Sequence, residues 1–255
     1  MQITRLSWAG LAVTINGTTI LVDPLTNPSE LTGLMGEPRA PIYPIAPKSA
    51  QFALLTHLHP DHYNPAALRA SLAEGGQVIC HEPLARLVAR NGFAVKGVQR
   101  DVPFTLNGFE ITAVPAVDGF GHDQVSWVIA GEGKRIIHCG DTLWHGYWWR
   151  IQHKYGPFDL AFLPINGAII HAGFILQQPA LTPSNIEASM TPEQAVAAGK
   201  VLGVKAVCPI HYGLFHSDQY QEHPEAAQRF AALAQNRGLA VLWLQPGENV
   251  RWEVL

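Results

Sequence analysis

Four short apolar runs in this chain stop at an aspartate or a histidine. Ile20-Leu21-Val22 leads into Asp23, and Ala53-Leu54-Leu55-Thr56 into His57. Ile136-Ile137-His138-Cys139-Gly140 leads into Asp141, and Ala206-Val207-Cys208-Pro209-Ile210 into His211. Such runs read as strands buried in a sheet. Their shared ending constrains the fold: the strand ends must lie along a sheet edge where loops can gather ligand-type groups. Further strands are expected over 3–8, 11–15, 77–80, 94–98, 109–115, 124–130, 135–138, 159–164, 239–244 and 250–254, with Asn16-Gly17 as a hairpin turn. Helices are expected from Asn64-Pro65 through Glu74, ended by Gly75-Gly76, and over 84–90 and 224–235. Thr191-Pro192-Glu193-Gln194 reads as a capping box opening a helix to Leu202. Two long loops interrupt this pattern: 24–47, with six of the nineteen prolines, and the largely apolar 167–190. No repeat or linker is visible, so one mixed α/β domain over 1–255 is expected.

Composition removes several functions. Seventeen basic and twenty acidic residues leave a net charge of −3 with no basic block, which argues against binding nucleic acid or an anionic membrane. No apolar run is long enough to span a bilayer, and the first residues carry no secretory pattern. Three scattered cysteines form neither a disulfide framework nor a CxxC pair, so a reducing, cytoplasmic setting is expected. Twelve histidines in a chain with only 15% charged residues stand apart.

The densest cluster is Thr56-His57-Leu58-His59-Pro60-Asp61-His62. Protonatable groups this close disfavour one another's charged forms, so packing alone does not explain them. Neutral imidazoles and a carboxylate are ligands for zinc, iron or manganese. His57 and His59, two apart in an extended segment, point the same way and can grip one ion. Asp61 and His62 follow the bend at Pro60 and can face a second.

His57-x-His59-x-Asp61-His62 resembles the signature of the metallo-β-lactamase fold. The resemblance continues through Asp23, Gly140-Asp141-Thr142 and Pro209-Ile210-His211-Tyr212-Gly213, in the family's order. The last two motifs look most like the branch containing ascorbate-6-phosphate lactonase. The resemblance implies a four-layer αβ/βα sandwich with two divalent ions between the sheet edges, zinc first, manganese or iron as alternatives. It implies His57 and His59 on the first ion, Asp61, His62 and His211 on the second, and Asp141 bridging them. Asp23 is implied as the carboxylate that orients a ligating histidine.

Family members usually supply a third histidine to the first ion after a Pro-Ala strand end. Here Val114-Pro115-Ala116-Val117 is followed by Asp118, and the nearest histidine is His122. Alignment favours Asp118 and zinc preference favours His122; both stay open, Asp118 ahead. An aspartate hardens the site towards manganese or iron.

The implied chemistry is hydrolysis by a hydroxide held between two ions. Asp61 would orient it and take its proton, and Asn166, ending the run 161–165, would donate to developing negative charge. Trp144, His145 and Tyr212 are candidate substrate-binding residues, with aromatic core packing as the alternative for each. The substrate expected is a small lactone or ester; the rivals are a phosphodiesterase and an iron redox or metal-binding protein on the same ligands.

Overall fold

The computed structural model describes residues 1–171 and 185–255. The chain opens with β1 (Gln2–Arg5), β2 (Leu11–Ile15) and β3 (Thr18–Val22), a meander turned at Asn16-Gly17, where both residues have positive φ. Then come α1 (Thr32–Met35), β4 (Ala50–Leu54), α2 (Pro65–Ser71), β5 (Leu72–His81), α3 (Glu82–Ala89) and β6 (Ala94–Val98). The second half runs β7 (Phe104–Leu106), β8 (Phe109–Pro115), β9 (Val125–Gly131), β10 (Lys134–His138), α4 (Trp148–Tyr155), β11 (Leu160–Pro164) and β12 (Ile169–Ile170). It ends with α5 (Pro192–Leu202), β13 (Ala206–Ile210), β14 (Tyr220–Gln221), α6 (Ala226–Asn236), β15 (Ala240–Val241) and a 3-10 turn at Trp252–Val254.

Strands β1 to β6 form one sheet in sequence order, parallel from β3 onward. A second sheet has the order β15-β13-β11-β10-β9-β8-β7, parallel from β10 through β15. Strand alternation decides what each face buries. Trp127, Ile129, Ile136, Phe162 and Ile210 of the second sheet face Val13, Ile20, Val22 and Leu54 of the first, making the central core. The opposite faces take helices: Leu68, Leu84 and Val88 on the first sheet, and Trp148, Ile151, Val196, Leu202 and Phe230 on the second. The result is helix, sheet, sheet, helix, the four layers expected. No helix among the described residues is long and apolar enough to cross a membrane.

The expected elements over 11–22, 94–98, 109–115 and 191–210 appear, and the capping box forms with Thr191 and Gln194 bonded reciprocally. Several bounds differ. The helix at Asn64-Pro65 stops at Ser71, because Leu72 is drawn into the sheet opposite Ala50 and the two glycines continue β5. β1 stops at Arg5, where a turn closed by Leu6 N–H on Gly10 C=O puts Trp8 at positive φ. The strand expected over 239–244 is reduced to Ala240–Val241, paired with Ala206–Val207. That over 250–254 is a bridge at Asn249 followed by the 3-10 turn, which Trp252 Nε1 anchors on Met1 C=O. The loop 24–47 contains α1; of the loop 167–190, residues 172–184 lie outside the described residues.

Candidate metal centre

The carboxyl ends of the parallel strands meet at one rim, where ligands gather in open α/β sheets. Asp23 follows β3, His57 follows β4, Asp118 follows β8, Asp141 follows β10 and His211 follows β13. Three groupings bring ligand atoms within 4.8 Å of one another: His57, His59, Asp118 and Asp141; His62, Asp141 and His211; and His57, Asp61 and His62.

The histidines are aimed by hydrogen bonds. Asp23 Oδ1 accepts the Thr56 N–H at 2.8 Å, and its Oδ2 accepts the Thr56 hydroxyl at 2.6 Å. The same Oδ2 lies 2.8 Å from His62 Nδ1. A buried carboxylate there holds the proton on Nδ1, so that Nε2 is the His62 nitrogen whose lone pair a metal would take on displacing its proton. The Thr56 hydroxyl, having donated to Asp23, accepts from His57 Nδ1 at 3.0 Å, which frees His57 Nε2 likewise. Both freed nitrogens, and His211 Nδ1, are buried without a hydrogen-bond partner. Buried polar atoms are normally satisfied. The two orphaned Nε2 atoms of His57 and His62 converge on the Asp61 and Asp141 carboxylates, with His211 Nε2 on Asp61, which is the donor set a divalent cation needs, so these residues fit one.

Asp141 sits between the two sides. Its Oδ1 accepts from Gln124 Nε2 at 2.8 Å, while Oδ2 lies 3.6 Å from His57 Nε2 and 3.9 Å from His62 Nε2. Asp61 Oδ2 accepts from Trp8 Nε1 at 2.9 Å and lies 3.2 Å from His211 Nε2. Trp8 also covers His211, ring centroids 4.0 Å apart. Asp23, Trp8 and His211 all have positive φ, a cost held in place by the packing around them.

Asp118 is buried, its Oδ2 accepting the N–H groups of Phe120 and His122 while Oδ1 lies 3.6 Å from His59 Nδ1. His122 lies outside the three groupings and half-exposed; its Nδ1 is 2.8 Å from His59 Nε2, behind that ring.

Charge and burial oppose each other here. Burial drives His57 down to about 3, so it stays neutral. Burial alone would also lower His62, but Asp61, Asp141 and Asp23 outweigh it and hold it well above the usual imidazole range. Burial would raise Asp141, yet His57, His62 and His211 keep it at about 2.

The cleft over the centre has a volume of about 150 Å³. His59, Asp61, Asp141, His211 and Tyr220 line its polar side, and Leu31, Leu34, Met35, Phe120 and Ile170 its apolar side. Both long loops therefore contribute to it. Four expected residues do not line it. Trp144 packs its ring against Trp148 and Trp149, and His145 stacks on Trp148 at 4.1 Å with Nδ1 accepting the Tyr147 N–H. Tyr212 turns away, under Arg5 and against Trp243. Asn166 is fully buried, donating from Nδ2 to the Tyr220 hydroxyl at 2.7 Å and accepting from Ser189. The aromatic run 144–149 instead starts α4, whose apolar face the second sheet buries. Trp8, Gln124 and Tyr220 escape sequence reading because each reaches the site through one side chain from a segment without a motif; Gln124 alone gives a signal, as an amide opening an apolar strand.

The chain matches the model of the β-lactamase superfamily domain over residues 18–212. It is 27% identical to a UPF0173 metal-dependent hydrolase of Thermococcus kodakarensis over 238 residues, 91% of each chain. Among solved structures it resembles Igni18, a metallo hydrolase of Ignicoccus hospitalis, with TM-score 0.68, 22% identity and coverage of 98% of this chain and 97% of that one. It also resembles CmlA, a diiron β-hydroxylase of Streptomyces venezuelae, with TM-score 0.76, 18% identity and coverage of 98% of this chain and 54% of that one. These structural likenesses bear on the fold. With the family model matched over most of its length, the chain belongs to the β-lactamase superfamily domain family.

Proposed function

We propose that this protein is a metal-dependent hydrolase that opens a small lactone or ester. The observation that carries the reading is Asp141, whose free Oδ2 lies 3.6 Å from His57 Nε2 and 3.9 Å from His62 Nε2, two orphaned imidazole nitrogens on adjacent rings. In this reading His57, His59, Asp118 and Asp141 hold one divalent ion, and Asp61, His62, Asp141 and His211 a second. Zinc is the first choice, with manganese or iron as alternatives. Divalent ions bound there would supply positive charge that lowers the pKa of a water towards about 7 and polarises the bond under attack.

The chain's own groups do the rest. Asp61, kept ionised by His62 and His211 against the cost of burial, accepts the proton of the attacking water. Trp8 Nε1 fixes Asp61 Oδ2, so the carboxylate does not rotate. Asn166 acts through Tyr220: its amide donates to the phenol oxygen, which directs the phenol's own proton elsewhere, and Tyr220 borders the cleft. Burial, with Glu222, Asp61 and Asp141, holds that phenol well above its ordinary range, so at neutral pH it is a donor. It serves the negative oxygen that develops on the substrate. The apolar cleft wall and small volume suit a compact, partly apolar molecule, and the Gly-Asp-Thr and Pro-Ile-His-Tyr-Gly motifs resemble those of a lactonase branch.

Metal-loaded protein assayed in parallel on a lactone panel, p-nitrophenyl esters and bis-p-nitrophenyl phosphate tests this. Turnover of a lactone or ester, lost by at least about a hundredfold in Asp141→Asn, is expected. Turnover of the phosphodiester alone sinks the substrate class. The second reading, an iron oxidoreductase, is favoured by two carboxylates in the first grouping and by the fold shared with a diiron hydroxylase. Iron in the purified protein with oxygen consumption and no hydrolysis selects it.

A further inference from the structure

Arg5, at the end of β1, is 5% exposed, yet it has no carboxylate partner among the described residues. Arg100, Arg150 and Arg229 each have one. The sequence over 172–184 holds no aspartate or glutamate. Arg5 Nε is buried without an acceptor, and its visible compensation is the Tyr212 ring, 5.8 Å from the guanidinium carbon. A cation-π contact offsets only part of the cost of burying a charge that is neither paired nor fully hydrogen-bonded.

Arg5 borders a pocket of about 200 Å³. Tyr212 and Gln245 supply its polar wall, and Trp8, Pro41 and Pro246 its apolar wall. Neither the Tyr212 hydroxyl nor the Gln245 side-chain amide is engaged in a hydrogen bond within the described structure. The pocket therefore offers one buried guanidinium, two spare donors and flat apolar surfaces. It lies across Trp8 from the metal centre, the indole that holds Asp61 and covers His211.

We propose that this pocket binds a small monocarboxylate with a compact apolar body, its carboxylate paired with Arg5. One guanidinium fork matches one planar carboxylate in charge and in bidentate geometry, while the proline and indole walls take the apolar remainder. A phosphate would bring more charge than the single Arg5 balances.

Titration calorimetry of the metal-loaded protein with benzoate, and with benzamide as its neutral analogue, tests this. Benzoate should bind once per chain, and benzamide at least about tenfold more weakly, as expected for loss of a charge-assisted pair. Arg5→Met should weaken benzoate by a similar factor. Gln245→Glu keeps Arg5 in place but puts a tethered carboxylate at the pocket wall, and should weaken benzoate too; it decides the matter should Arg5→Met not fold. Failure of benzoate to bind the wild type, equal binding of benzamide, or unchanged affinity in Gln245→Glu overturns the proposal. So does a signal that survives Arg5→Met but disappears with EDTA, which assigns benzoate to the metals.

Discussion

A histidine offers a metal one ring nitrogen only while the other keeps its proton, and Asp23 secures that for two of them. It accepts from His62 Nδ1 directly, and through the Thr56 hydroxyl it orders His57 Nδ1. Asp23→Asn keeps the shape and removes the charge that favours this tautomer. Metal content after dialysis against a competing chelator should show affinity lowered about 10- to 100-fold. Unchanged content would mean that the carboxylate does not set the tautomer. At the same scale, Asp118 and His122, four residues apart, are rival ligands in sequence, with Asp118 ahead. The fold gives them different surroundings: the backbone N–H groups of Phe120 and His122 wrap Asp118 Oδ2 and hold its other oxygen towards His59 Nδ1, while His122 Nδ1 lies on His59 Nε2 and 3.7 Å from Asp118 Oδ2.

Strand ends carry the next level. β4 and β10 bring Thr56 and Gly140 together across the rim, and Gly140 has φ +60° there. A Cβ at that position would stand 2.9 Å from Thr56 Oγ1 and 3.1 Å from Gln124 Nε2, the atoms that order His57 and Asp141. Gly140→Ala therefore meets left-handed strain and a clash together, a destabilisation of about 1–3 kcal/mol. Chemical denaturation should register that loss together with reduced metal content. A purely structural loss with full metal content would show that the rim adapts around the added methyl. The runs that end in Asp23, His57, Asp141 and His211 were legible as elements because apolar strand patterns are local. The end of α2 was not: Gly75-Gly76 mark a helix stop equally well four residues earlier or later, and the pairing of Leu72 with Ala50 decides it.

Over the whole molecule, the centre couples folding to pH and to metal. In the metal-free protein, His57 falls from its ordinary value to about 3, so the unfolded chain binds the extra proton and stability rises with pH between about 3 and 6.5. Asp141, at about 2, contributes stability that is present above about 4 and lost as pH falls through its folded value. His62 runs the other way: raised above 6.5, it stabilises fully below that value and loses its contribution as pH rises through the folded value. A divalent ion held by His62 Nε2, as proposed, would displace the His62 proton, so its affinity should climb about tenfold per pH unit while that proton is held. Scanning calorimetry with and without zinc should show the Tm gain widening between pH 6 and pH 8 by about 3–6 °C per unit. A gain independent of pH would show that no proton is exchanged for the metal.

What the sequence by itself determined is the set of ligand-type side chains and the strands that end in them, because strand patterning and the 57–62 spacing are short-range properties of the chain. It also marked the two loops that border the cleft, since long proline-rich or apolar connections between strands need a surface to cover. Only the tertiary structure decided which groups hydrogen-bond the candidate ligands and which side chains line the cleft beside them. Trp8 reaches Asp61, Gln124 reaches Asp141 and Asn166 reaches Tyr220 across 53, 17 and 54 residues of chain. Tyr212, beside a candidate ligand in sequence, faces the other way. Contacts of that reach depend on how two sheets stack and on which side of a strand a residue falls, and no local pattern encodes either.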